Sequence, residues 1–372
     1  MKRAEKKGIK KRYLIPLVII AVSAVLVLVC RLFKPVADLY ADYIFPVIST
    51  PYAFVSGLLP ISLGELMILA FILIVVIGIP AMILLLIFAK SRRKQTAAVS
   101  LTAALWIFTF IFGTEALNCF SLYGCTPFSE RFFTASEHDN EQLKQLYAML
   151  IEECNTLALE VPRDENNRFR LDIDVEQECK KAMKKAAEKY PQLKGYYPNP
   201  KPIMFSYFMS QTSTSGMYFP FSMESTYNND MVDEIKPEVI CHEYSHLKGF
   251  MQEDECNFIS FIATTGSDDP QMRYSGYIGA LEYVHNQIYE NEIVSAYGMT
   301  DTISAEVQND WFRFLPDNYW KDNAAKEIIP TETVDAVSDA AADTSMKING
   351  VEDGIKSYTR MVDLLLDYYY PA

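Results

Sequence analysis

Histidine is scarce in this chain: four residues in 372, at positions 138, 242, 246 and 285. Any pattern that uses two of them is therefore informative. Cysteine is sparse and scattered. Cys30, Cys119, Cys125, Cys154, Cys179, Cys241 and Cys256 form no CxxC pair and no dense framework, which excludes a structural zinc ribbon or a disulfide scaffold. Cys119 and Cys125 are close in sequence and could pair outside the cell. Positive charge is short as well, with 34 Lys and Arg against 47 Asp and Glu and a net charge of -13. An acidic chain of this kind is not expected to bind nucleic acid. No internal repeat is visible, which argues against a solenoid.

What the chain does have is apolar sequence, concentrated in its first third. Three runs stand out: about 14–32, 66–89 and 96–112. Roughly 20 apolar residues cross a bilayer core, so each run is expected to span. The first is too long for a signal-peptide core and no small-residue cleavage site follows it. Pro80 lies within the second, where a membrane helix tolerates it. The runs hold almost no functional polar residue, which ranks a channel or transporter last. Basic residues cluster at 1–12 and again at Lys90, Arg92, Arg93 and Lys94. Both clusters fall inside under the positive-inside rule for one topology only. The N-terminus is then cytoplasmic, and everything after about residue 115 lies outside the cytoplasm at the cell (inner) membrane. Residues 34–63, rich in Tyr, Pro and Phe, read as an interfacial loop.

Two domains follow, a membrane domain over 1–115 and an extracytoplasmic domain over 116–372. In the latter, Glu141 to Leu159 and Val175 to Lys189 have apolar residues at helical spacing. Lys201 to Phe221 is aromatic and partly alternating, and reads as one or two strands with a turn at Gly216. Pro237 suits the first turn of a helix, and Gly249 suits the residue that ends it. A second helix, Gln252 to Thr264, should return antiparallel, with Cys256, Ile259, Ser260 and Ala263 as its buried stripe. Helices are also expected over Tyr274 to Tyr297 and Val351 to Tyr369, with a mobile loop or peripheral helix at 329–348.

Two of the four histidines sit in His242-Glu243-Tyr244-Ser245-His246. Residues four apart share one face of a helix, so both imidazoles can bind one Zn²⁺ with Glu243 beside them as general base. At this histidine content a chance HExxH arises on the order of once in a few hundred chains. A catalytic zinc needs a third protein ligand and an open position. Glu253 and Glu255, at the start of the next helix, both qualify. An oxyanion donor is also required, and His285, Tyr283, Tyr358 and Arg360 are candidates.

The segment Glu253-Asp254-Glu255-Cys256-Asn257 resembles the ExxAD-like element of gluzincin metallopeptidases. That likeness implies Glu253 as zinc ligand, with Glu255 as alternative, Asn257 as the partner that orients His242, and Cys256 as a small packing residue. The chain also resembles the bacterial family classed as domain of unknown function 3810, read as membrane-anchored zinc peptidases. The likeness rests on the hydrophobic N-terminal third, on GMYFPFSMEST…CHEYSHLKGFMQEDECNFISFIA (Gly216 to Ala263) and on DGIKSYTRMVDLLL (Asp353 to Leu366). Because Tyr358 lies in the last block, it is the preferred oxyanion donor.

The expected fold is α+β and mostly helical, three transmembrane helices followed by a zincin-like metallopeptidase domain. The expected function is a membrane-anchored metalloendopeptidase with one Zn²⁺ per chain. Its partners would be a peptide or protein substrate and the lipid bilayer. Gly216, Met217, Tyr218 and Phe219 would line the cleft as an edge strand that pairs with an extended peptide. The alternative is a non-catalytic peptide-binding or sensor protein built on the same fold.

Overall fold

The computed structural model describes residues 2–349, 351 and 360–371, with side chains from Arg12 onward. The chain is mostly helical, with three short strands among the described residues. It forms two compact units. One takes in the chain up to Cys125 together with Phe219–Glu224, and the other takes in Thr126–Tyr218 and the chain from Ser225.

Among its described residues the first unit contains three helices long and apolar enough to cross a membrane, over Arg12–Leu32, Leu63–Phe88 and Lys90–Gly124. They belong to α1 (Lys2–Leu32), α2 (Leu63–Phe88) and α3 (Arg93–Glu115). In α2 a π turn, Ile74–Gly78, ends two residues before Pro80. A wider turn accommodates the backbone carbonyl that proline leaves without a donor. Thr102 and Thr109 on α3 donate to the carbonyls of Ala98 and Leu105, each at 2.7 Å, so these hydroxyls are satisfied within their own helix. The segment expected as an interfacial loop is instead helical, with helices at Lys34–Leu39 and Phe45–Gly57 joined by a π turn. Pro35 and Pro46 sit in the first turn of these helices, where a missing N–H costs nothing, so prolines that look like breakers act as starters.

Phe219–Glu224 packs within this same unit. Glu224, 1% exposed, accepts from Leu63 N at 3.0 Å, Gly64 N at 2.8 Å, Ser62 Oγ at 3.3 Å and Ser222 Oγ at 2.7 Å. It therefore caps the start of α2, where N–H groups lack partners inside the helix. Gly64 has no side chain because a Cβ there would run into the Phe219 ring. Asn118 Nδ2 donates to Pro220 O at 2.6 Å, and Tyr52 Oη donates to Phe221 O. Cys119 and Cys125 are both thiols.

The second unit opens with α4 (Asn140–Ala158), started by a capping box between Asp139 and Gln142, and α5 (Val175–Lys189), capped by Asp174. Three strands follow: β1 (Lys201–Pro202), β2 (Gly216–Phe219) and β3 (Glu224–Tyr227), in the order β1-β3-β2. The stretch between β1 and β2 holds a short helix, Ser206–Gln211. Gly216 thus begins a strand rather than forming a turn between two.

The centre of the unit is α6 (Lys236–Leu247), α7 (Glu253–Thr265) and α8 (Pro270–Glu290). Pro237 is in the first turn of α6, and Gly249, at a φ of 95°, reverses the chain after it. That backbone conformation suits glycine because it has no Cβ. Cys256, Ile259, Ser260 and Ala263 on α7 are at most 1% exposed, as the helical stripe predicts. The 329–348 region is the helix α9 (Thr331–Ile348), and the chain closes on α10 (Met361–Tyr369).

Candidate metal centre

The tight turn at Gly249 brings the start of α7 opposite the end of α6, and the chemistry collects there. The rings of His242 and His246, one turn apart, lie 4.9 Å apart at 83°. Glu253, the first residue of α7, places Oε2 3.0 Å from His242 Nε2 and 3.8 Å from His246 Nε2.

Each ring is held at its other nitrogen. His242 Nδ1 lies 2.7 Å from Asn257 Oδ1, and His246 Nδ1 lies 2.8 Å from Phe250 O. Both partners are oxygens that can only accept, so both Nδ1 atoms carry the proton. That leaves the Nε2 edges facing Glu253, where burial pulls the His242 pKa down but the contacts with Glu253, Glu243 and Asn257 carry it up to about 9; a metal would take the place of the proton at Nε2.

A second donor is present. His242, His246 and Cys256 offer ligand atoms within 4.8 Å of one another and form a group able to hold a metal ion. Cys256 Sγ, however, is 3.3 Å from His246 Nδ1 and donates to Phe250 O at 3.2 Å. It occupies the protonated edge of His246, away from the Nε2 edge. Burial, and next the carboxylate of Glu253, push its thiol pKa well up while no metal is bound. Glu253 lies at the opposite, Nε2 edge of the two rings.

Glu243 is 5% exposed, and its Oε2 has no hydrogen-bond partner. Burial pushes its pKa up to about 8, with His242 pulling down and Glu253 adding to the rise. Gly216 of β2 lies directly against it, since a Cβ at 216 would fall 2.8 Å from Glu243 Cγ and 2.7 Å from Val239 Cγ1. Two residues on, the Tyr218 ring is 5.8 Å from the His246 ring. The residues from 216 to 218 thus run beside α6, and β2 is an outer strand of its sheet, with Met217 exposed.

The remaining sequence candidates are placed elsewhere. Glu255 accepts from Ser129 N at 2.8 Å and from Ser129 Oγ at 2.5 Å, which engages both its oxygens. Arg360 donates from Nε to Asp254 Oδ2 at 2.8 Å. His285 is 2.8 Å from Tyr147 Oη at Nδ1 and packs among Tyr289, Trp311 and Phe312. Tyr283 accepts a hydrogen bond from Asn257 Nδ2 at 3.0 Å, one shell behind His242. Tyr358 lies outside the described residues. Sequence reasoning missed the Phe250 carbonyl as the anchor of His246. The signal for it was Gly249, which turns that carbonyl back on the helix end.

The residue types fit a metal ion: two imidazoles with Cys256 at hand, and the Glu253 carboxylate 3.0 and 3.8 Å from the two Nε2 atoms. A buried carboxylate oxygen without a partner is costly, and Glu243 beside this point gains from a cation there.

Residues 40–366 match the family described as Protein of unknown function (DUF3810). The chain belongs to that family. No curated protein and no solved structure is significantly similar to it.

Proposed function

We propose that this chain is a membrane-anchored, zinc-dependent metallopeptidase that cleaves peptide bonds outside the cytoplasm. The observation that carries the proposal is the convergence of His242 Nε2, His246 Nε2 and Glu253 Oε2 beside the unpartnered Oε2 of Glu243. His242, His246 and Glu253 would hold the zinc, which when bound supplies Lewis acidity and lowers the pKa of water towards neutrality. Glu243 takes the proton of the attacking water at Oε2 and passes it to the leaving amine. Its raised pKa suits a group that must both accept and release a proton near neutrality. Asn257 and the Phe250 carbonyl hold the two rings in the required tautomer. The outer edge of β2 offers main-chain groups to an extended peptide. Three apolar helices and two basic clusters support a multi-pass chain with this unit outside the cytoplasm.

The test is the metal content of the full-length protein in detergent, with His246→Ala as control. About one zinc per chain, lost in the variant, is expected. A folded wild type without zinc overturns the proposal. Glu243→Gln then separates catalysis from binding: zinc stays, and peptide cleavage falls by roughly 10²–10⁴-fold. Zinc in the wild type with no cleavage of any peptide would leave the peptide-binding reading instead.

A further inference from the structure

We propose that Tyr283 selects the metal-binding tautomer of His242 by fixing which way round the Asn257 amide sits. The inference rests on the reading of His242 as a metal ligand, and it adds a positioning residue to that site.

The two ring anchors differ in kind. His246 Nδ1 faces the Phe250 backbone carbonyl at 2.8 Å, an acceptor that cannot become a donor. His242 Nδ1 faces Asn257 at 2.7 Å, and a carboxamide has two ends of nearly equal shape and opposite polarity. With Oδ1 towards the ring, Nδ1 carries the proton and Nε2 keeps its lone pair. Turned by half a rotation, the amide presents N–H to the ring. Nδ1 must then accept, and the proton moves to Nε2, the atom that faces Glu253. An imidazole protonated at Nε2 cannot donate that lone pair to a metal. The orientation of one side-chain amide therefore decides whether the first ligand exists.

Asn257 is 6% exposed, so its far end depends on the protein. There Nδ2 donates to Tyr283 Oη at 3.0 Å. Tyr283 is suited to accept. Burial, and then the carboxylates of Glu238, Glu282 and Glu253, push its pKa up, which keeps it a neutral phenol. The phenol oxygen accepts from Asn257 Nδ2, so its own O–H is turned away from the amide. The amide then reads donor to acceptor from Tyr283 to His242, and one orientation satisfies both ends.

The experiment uses the full-length protein in detergent and measures zinc affinity by competition with a chromophoric chelator. Four proteins are compared: wild type, Tyr283→Phe, Asn257→Asp, and the two changes together. Tyr283→Phe is expected to weaken zinc by about tenfold or more, the usual scale for a lost outer-shell partner. An aspartate has two equivalent oxygens and needs no orienting. In the Asn257→Asp background, removing the tyrosine hydroxyl should therefore change zinc affinity by less than about twofold, a non-additivity that reports the coupling. Wild-type affinity in Tyr283→Phe overturns the inference. An equal loss in both backgrounds also overturns it, since that marks a packing role. A wild type without zinc overturns the metal reading itself, a distinct result. If Tyr283→Phe does not fold, Tyr283→Met, which keeps the bulk and lacks the hydroxyl, makes the same comparison.

Discussion

Gly216→Ala tests the placement of the general base without touching a metal ligand. The backbone of Gly216 is not among the positive-φ glycines, so alanine meets no conformational strain there. Replacing a strand glycine should even stabilise by about 0.5–1 kcal/mol through the unfolded chain. The obstacle is the side chain opposite. The new methyl group would fall 2.8 Å from Glu243 Cγ and nearer still to Oε1, whereas ordinary contact begins at 3.4 Å. Relieving this moves the Glu243 side chain by at least about 0.6 Å, and further at the carboxylate end. A misplacement of about 1 Å at a reacting group costs on the order of 10²-fold in rate, and the crowding costs about 1–3 kcal/mol of stability. His242, His246 and Glu253 are not in the path, so zinc affinity should stay within about twofold of wild type. The assay is cleavage of a mixed peptide pool by the zinc-loaded, full-length protein, read by mass spectrometry of new termini, with zinc content measured in parallel. A Gly216→Ala protein that cleaves at the wild-type rate would show that Glu243 does not do the chemistry from this position.

Three further outcomes follow from the same geometry. Burial holds Glu282 up to about 7, against the pull of the Phe312 N–H, and the ordinary value is 4.5. Its contribution to stability is therefore complete below the unfolded value and lost as pH rises through the folded one. Glu282→Gln should stabilise the protein by on the order of 2 kcal/mol at about pH 8.5 and by almost nothing at about pH 4, and a difference in thermal unfolding that is flat with pH refutes this. Ser129→Ala removes the 2.5 Å hydroxyl donor from buried Glu255 and should cost about 1–3 kcal/mol with zinc content unchanged; loss of zinc would instead put Glu255 in the metal set. Glu224→Ala strips the acceptor from Leu63 N and Gly64 N and should lower thermal stability in detergent by about 1–3 kcal/mol, so an unchanged midpoint counts against the cap.

The parts of this molecule legible in the sequence are those governed by local rules. The α6 helix follows from Pro237, Gly249 and the four-residue histidine spacing, and α5 follows from its pattern behind Asp174. The apolar helices follow from length and composition alone. What escaped was decided by distant residues. Glu253 and Glu255 both sit in the first turn of α7, and no spacing rule separates them. Ser129, more than a hundred residues earlier, takes Glu255. The helices between Lys34 and Gly57 were hidden by prolines whose effect depends on whether they fall at the first turn or within a helix. Tyr283 was one of 23 tyrosines, and only Asn257 beside it gives it a role.

The assignment of Phe219–Glu224 to the N-terminal unit bears on how the molecule can be taken apart. Two domains are usually imagined as beads on a thread, separable by one cut. Here the chain passes between units after Cys125, after Tyr218 and after Glu224, so no single cut releases either one whole. A fragment beginning at Thr126 would carry Phe219 and Glu224, 3% and 1% exposed in the intact chain, stripped of Gly64, Ser62 and Leu63. A bare aromatic ring would then sit one residue beyond Tyr218, at the end of β2, and an orphaned carboxylate would sit at the start of β3. A loop insertion near residue 62, far from the histidines in sequence, would act on the same six residues. For this protein, solubilising by truncation leaves Phe219–Glu224 without the rest of the unit they belong to.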